Sequence, residues 1–313
     1  VLRYSMRRVL AAVPLIFSVP FLIFLLVDLV PGDPARILAG ENATAEHVAS
    51  VRAGLGLDDP VLLRYAEWLL RALSGDLGTS YVSDQAVVDL ITRRLGTTLS
   101  LVAFATVLAL VVGLTLALVA TLRRGGLVDR AVNSLAAMAI ALPTFWVGLV
   151  LVAVFAIALP AFPAYGFVPI SDGVGLWLSH LVLPGIALSL LPAAEITLHM
   201  RAALGEALRS DYVVNARARG LSEASIVFKH AMKNAAIPVV TVFGYRVSEV
   251  LAGTVTIEVI YNMPGLGRLA LDSVQNRDVP VLLAFVLLST AVVVVVNLLV
   301  DLSYGYFNPK VRA

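Results

Sequence analysis

The sequence predicts an all-α integral membrane protein. It has six transmembrane helices with both termini cytoplasmic, a helical extracytoplasmic insertion after the first span, and a short cytoplasmic helical segment between spans four and five. Three observations carry this prediction. Of the 313 residues, 59% are hydrophobic and only 14% charged, whereas soluble domains run at roughly 45–50% and about 25%. Six stretches are long and apolar enough to cross a hydrocarbon core, which takes about 20 residues as a helix. Finally, Lys and Arg gather on alternate connections between those stretches.

The first span is 9–27, behind Arg3, Arg7 and Arg8. It exceeds the apolar core of about 7–15 residues expected of a secretory leader and ends in "VDLVPGDP", so it reads as a retained anchor. The second span, 99–122, contains no charge; the third, 131–157, is closed by Pro160 and Pro163. Spans four, five and six are 178–200, 235–257 and 279–300. With the N-terminus inside, fourteen Lys/Arg lie on the cytoplasmic side and eight outside, with Arg246 within a span. Six of the eight sit in one long loop, where the positive-inside rule carries little weight. The net charge of +2 matters less than this distribution, and nothing in it points to nucleic acid.

Organisation follows: residues 1–30 hold the N-terminal segment and first helix, 31–96 an extracytoplasmic helical region, and 97–313 a core of five helices with a loop at 205–234. Within 31–96, Thr44 is placed to cap "AEHVASVRA", which Gly54 ends. Asp59 is placed to cap a second helix with Pro60 at its first position and Gly75 just past its end. In that helix Arg64, Glu67 and Arg71 share one face, and Leu63, Trp68, Leu69 and Leu70 cover much of the rest. Such a helix suits the bilayer surface or the outer mouth of the protein, as a simple cap or as a docking surface for an external partner.

Enzymatic chemistry is mostly excluded. The absence of cysteine removes disulfides, thiolate metal sites and a cysteine nucleophile. No P-loop is present. "GLGRLA" at 265–270 fits a dinucleotide fingerprint, but that motif needs a preceding strand and a parallel sheet; "NMPGLGRL" reads instead as a turn before a short helix outside the membrane. His47, His180, His199 and His230 have no metal-ligand spacing. Neither a G-x-S-x-G motif nor paired membrane aspartates occur, so the chain reads as no enzyme, with no cofactor or metal of its own. The two halves do not echo each other, which argues against an inverted-repeat secondary transporter.

Ionisable residues inside spans are costly, roughly 2.5–3.5 kcal/mol each on insertion scales, so they should face protein or water. Glu195 and His199 lie four apart on one helix face; Arg246 and Glu249 lie three apart on the next. Each couple either holds helices in register or lines a hydrophilic translocation path, and Glu195–His199 has the composition of a proton relay.

The loop 205–234 contains "SDYVVNARARGLSEASIVFKHAMKN". Ser210 or Asp211 is placed to cap a helix through "YVVNARAR", Gly220 permits the left-handed turn that ends it, and Ser222 caps the next. A stiff element of this kind, joined to two spans, suits pushing by another protein.

These residues resemble the coupling loop of binding-protein-dependent ABC importer permeases of the dipeptide/oligopeptide branch. Asp211, Tyr212, Val213, Ala216, Arg217, Ala218, Gly220, Leu221 and Ser222 match the branch form D-Y-V-x-x-A-R-A-K-G-L-S. The broader E-A-A signature is replaced by Val214, Asn215 and Ala216. "VPGDPARIL", "SGDLGTSY", "PGLGRLALDSVQNRD" and "NLLVDLSYGYFNPKVR" look like text of the same branch, so the resemblance covers nearly the whole chain. It implies a permease in the cell membrane that pairs with a second, homologous permease subunit, with two ABC ATPase domains that bind ATP and Mg, and with an extracytoplasmic solute-binding protein. It also implies that Tyr212, Ala216, Gly220 and Leu221 touch the ATPase, that Arg217 and Arg219 offer charge to it, and that the solute is a peptide, glutathione, nickel or another small molecule.

Overall fold

The computed structural model describes residues 2–29, 34–40 and 43–307. Val30 to Asp33 of "VPGDPARIL" and Asn308 to Arg312 of "NLLVDLSYGYFNPKVR", Lys310 among them, lie outside the described residues. The regular structure of the described residues is all helical, with no strand among them; one isolated bridge joins Thr79 to Ala86. In order, the helices are α1 (Leu2–Leu29), α2 (Pro34–Ala39), α3 (Ala45–Gly54), α4 (Val61–Leu73), α5 (Val87–Leu122), α6 (Leu127–Ala141) and α7 (Thr144–Leu151). Then follow α8 (Val174–Ala207), α9 (Asp211–Ala218), α10 (Glu223–Ser225), α11 (Met232–Ile260), α12 (Leu266–Gln275) and α13 (Val279–Phe307). Two π-helical runs, Val152–Ala158 and Ile226–Ala231, extend α7 and lead into α11.

Three described helices are long and apolar enough to cross a membrane: Val87–Leu122, Val174–Ala207 and Val279–Val300. A fourth crossing is available if α6 and the α7 run count as one broken span. The expected third span at 131–157 is therefore not one straight helix: the chain bends by 103° between Leu127–Ala141 and Thr144–Ala158. The cause is Pro143, which has no N–H to donate back and forces the preceding residue out of helical geometry; Leu142 takes ψ 126°.

The chain divides into two compact units. Thr97–Pro264 form the body of the first, together with segments near the two termini. Here α8 packs against α6, α7 and α11. Its neighbour α5 presents a ladder of mostly small buried residues at every fourth position: Ala105, Ala109, Gly113, Ala117 and Thr121. Small residues let membrane helices approach closely where no hydrophobic drive separates helix from lipid. At Gly113 the approach is tight enough that a Cβ would lie 2.8 Å from Ile196 and 2.9 Å from the Ala193 carbonyl of α8. The Thr197 hydroxyl donates back across this contact to the Gly113 carbonyl at 3.3 Å. Further along, Leu101, Val147, Leu181, Leu183, Val250, Ile257 and Tyr261 form one apolar core. The Tyr261 hydroxyl donates to the carbonyl of Gly148, at 3.1 Å.

The second unit comprises Val9–Gly96 and Gly265–Val294. Thr44 caps α3 as expected, accepting from the His47 N–H. Pro60, not Asp59, occupies the cap position of α4, because its extended ψ of 135° precedes the first helical residue. Tyr65 and Trp68 are the buried side of α4. Tyr65 stacks edgewise on Phe21 and Phe24 of α1 and its hydroxyl donates to the Phe17 carbonyl at 2.6 Å. Leu62, Leu63, Leu70 and Leu73 stay exposed. The Asp278 carboxylate, ahead of α13, accepts from the Ser80 hydroxyl and from the Tyr81 N–H. "NMPGLGRL" is the expected turn followed by the short helix α12.

Candidate functional site

Two groups of residues singled out by the sequence lie in the first unit. The first is the segment between α8 and α11. The chain leaves α8 at Ala207 and turns through 208–210. Ser210 takes the N-cap position of α9 with extended backbone, but its hydroxyl turns back to the Ala207 carbonyl at 2.5 Å rather than capping α9. Gly220 stands at φ +78°, the left-handed conformation expected of it. Ser222 caps α10 by accepting from the Ser225 N–H.

The segment has two faces. Val213, Ala216 and Ile226 are buried together with Leu208 against them, so α9 folds down onto the π-helical run. Ala216 therefore packs inside this chain, only 8% exposed. Asp211, Ala218, Gly220 and Ser222 lie at the exposed surface, with the apolar side chains of Tyr212, Val214, Leu221 and Phe228. Phe228 was not legible as a surface residue, because a phenylalanine beside the start of a span reads as core. Across the turn the Arg217 guanidinium donates to both Glu223 oxygens, at 2.7 and 3.1 Å. This contact holds the Glu223 carboxyl below the usual glutamate range and raises Arg217 above its own.

Two further contacts fasten this segment's base. Asp129, in the first turn of α6, is almost fully buried. It accepts from Arg201 Nε at 2.6 Å and Nη2 at 2.9 Å, from the Gly125 N–H at 2.9 Å, and from Asn133 Nδ2 at 3.0 Å. Arg124 Nη1 donates to the Gly205 carbonyl at 3.2 Å, in the last turn of α8. Neither contact was visible in the sequence, since Asp129 and Arg201 are 72 residues apart.

The second group is an ion cluster joining α8 and α11. Arg246 pairs with Glu249, as the three-residue spacing predicts, and with Glu195 across the helix interface. The expected Glu195–His199 couple does not form: the Glu195 carboxylate turns to the permanent cation, and His199 is exposed. A guanidinium with a forked set of donors is the better partner for a carboxylate than a four-residue neighbour on the same helix. The cluster is mostly covered at Arg246 and Glu195 but open at Glu249, whose side chain is 44% exposed. Tyr245 lies with its ring 5.1 Å from the Arg246 guanidinium. One buried acid escaped the sequence reading: Glu258, 0% exposed, accepts from the Thr98 hydroxyl at 2.6 Å and so ties α11 to α5.

Comparison with known proteins gives this geometry its setting. Residues 109–313 match the family described as binding-protein-dependent transport system inner membrane component, and residues 1–102 match the N-terminal family of the same membrane components. A probable peptide ABC transporter permease of Sinorhizobium fredii is 37% identical over 309 residues, 99% of each chain. A putative peptide transport system permease of Brucella abortus is 38% identical over 307 residues, 98% of each. A glutathione transport system permease of Escherichia coli K12 is 38% identical over 311 residues, 99% of each. Among solved structures, an inward-facing form of the MetNI methionine ABC transporter superposes with a TM-score of 0.56 at 16% identity. That match covers 70% of this chain and 96% of the other, and shows a shared fold. The chain belongs to the binding-protein-dependent transport system inner membrane component family and is a membrane-embedded permease subunit of an ABC importer.

Proposed function

We propose that this permease crosses the membrane six times with both ends in the cytoplasm, and that Asp211–Ala231 is the element gripped by an ABC ATPase. The observation that carries the reading is the two-faced build of that segment. Its inner face (Val213, Ala216, Ile226) is locked into the chain, while Tyr212, Val214, Leu221 and Phe228 remain exposed and apolar next to Arg217 and Arg219. On this reading Ala216 sets the distance between α9 and its base rather than touching the ATPase. Two ATPase domains would bind ATP and Mg, a second homologous permease would complete the path, and an external solute-binding protein would deliver the cargo. The exposed Leu62, Leu63, Leu70 and Leu73 of α4 suit contact with lipid headgroups or with that binding protein.

The relatives transport peptides or glutathione by name, and small peptides, glutathione among them, are the cargo we assign. Glu195, His199, Arg246 and Glu249 would line the path, where two carboxylates and one guanidinium can meet the charged termini of a peptide. ATP must favour one facing state over the other differentially; inverting a strongly biased two-state equilibrium takes about 5.5 kcal/mol. The test is uptake in reconstituted vesicles. Peptide accumulation should require ATP together with the ATPases, the second permease and the binding protein; accumulation by this chain alone down an ion gradient would overturn the reading in favour of a secondary transporter. Within the assembled importer, Arg246→Gln should lower uptake several-fold with assembly and basal ATP hydrolysis retained. Loss of assembly would make the cluster a brace between α8 and α11.

A further inference from the structure

The α5–α6 turn is fastened to the end of α8 more strongly than a surface connection requires. Surface carboxylates usually keep water for at least one oxygen. Asp129 instead is buried and spends both oxygens on protein donors, with a two-point bond from Arg201, the Gly125 N–H and Asn133 Nδ2. One turn further along α8, Arg124 reaches the carbonyl of Gly205, a position where a Cβ would lie 2.5 Å from the guanidinium nitrogen. Both contacts sit on the last two turns of α8, immediately before the 208–210 bend and α9. Leu208 of that bend packs into the Val213–Ala216–Ile226 cluster. A continuous set of rigid contacts therefore runs from the exposed face of α9, through the end of α8, to the start of α6.

Charge-assisted two-point bonds resist both shear and rotation, because sliding by a single ångström breaks the planar fit of guanidinium to carboxylate. Elsewhere α6 and α8 meet through Ala136, Ala139 and Ala194, with Leu190 and Leu198 packed against them, an apolar contact without the directional geometry of a charge-assisted hydrogen bond.

We propose that Asp129 and Arg201, assisted by Arg124, are positioning residues that make α6 move with α8 when the 211–231 segment is displaced, so that ATP-driven motion reaches the bent α6–α7 pair and is not lost at the α8 bend. The proposal rests on the reading of 211–231 as the ATPase-gripped element. It assigns the clamp no contact with solute or nucleotide. What it governs is the number of solute molecules moved per ATP hydrolysed.

The experiment uses the complete importer in vesicles and measures solute transported per ATP hydrolysed, with complex assembly and basal ATP hydrolysis measured alongside. Asp129→Asn keeps the shape and loses the charge, and should lower the transport-to-hydrolysis ratio at least fivefold while assembly and basal hydrolysis persist. Arg201→Lys keeps the charge and loses the fork, and should give an intermediate loss. Val132→Ala, a buried change on α6 outside the clamp, serves as the comparison; its ratio should remain that of the unmodified importer. An unchanged ratio in Asp129→Asn, or an equal loss in Val132→Ala, overturns the proposal and leaves the clamp a structural brace. A crosslink from Ser222→Cys to the ATPase separates the two failures. Its absence in the otherwise unmodified importer would sink the underlying reading of the segment, whereas its presence with an unchanged ratio in Asp129→Asn would sink the clamp alone.

Discussion

Gly220 shows how one residue sets the shape of the 211–231 segment. At φ +78° it has open space around the position a Cβ would take, so substitution is limited by backbone strain and not by crowding. Gly220→Ala should cost about 1–2 kcal/mol, the penalty for a left-handed L-residue, and Gly220→Asn less. Faster hydrogen exchange across 211–225 in the alanine variant than in the asparagine one is the expected result. The Arg217–Glu223 bond that spans the same turn carries a pH signature. Because Glu223 is depressed in the folded chain, its contribution is full above the ordinary glutamate pKa and fades as the pH falls through the lowered value. Protection from hydrogen exchange at this turn, taken relative to the intrinsic amide rate at each pH, should therefore fall as the pH drops through that value, and Glu223→Gln should abolish the fall. Such residues were legible because their logic is local: Thr44 and Ser222 cap helices three residues away, and Gly220 answers to its own φ. Pairings that close over long sequence distances were not. Arg246 with Glu195, Arg201 with Asp129 and Ser80 with Asp278 depend on which helices meet, and a single sequence does not say that.

Among the elements, α9 and the π-helical run after α10 pack as one unit with a sealed side and an open side. Ile226 is 0% exposed, and Phe228, two residues on, is 58% exposed. Ile226→Ala should destabilise the segment by about 2–5 kcal/mol through the cavity it leaves. Phe228→Ala should change stability by no more than about 0.5 kcal/mol and instead weaken capture of the ATPase from detergent-solubilised complexes. Equal stability losses in both variants would show that Phe228 is core rather than contact. Apolar run length found the long helices α5, α8 and α13 readily, because each holds a stretch of high hydropathy with few charges over a bilayer's length. It missed the corner at Pro143, since a proline between two apolar runs is compatible with a kinked span as well as with a 103° turn. The choice between them is made by packing, with α6 and α7 lying separately against α8.

For the molecule as a whole, the proposed topology can be read directly, because the sequence contains no cysteine and single introduced thiols will report without background. Ser222→Cys should react with a membrane-impermeant maleimide only from the cytoplasmic side, and Ser171→Cys, on the exposed connection before α8, only from outside. Reversed labelling would invert the proposed orientation and put the 211–231 segment out of the reach of a cytoplasmic ATPase. The corner at Pro143 has its own bearing on how this chain exists in a cell. A right-angled bend releases main-chain amides and carbonyls that acyl chains cannot solvate, at several kcal/mol for each one left bare. Phe145 and Trp146 stand half-exposed beside it. Wherever that elbow meets the bilayer interior, the main-chain groups it releases have to be met by polar protein groups, of this chain or another, or by water.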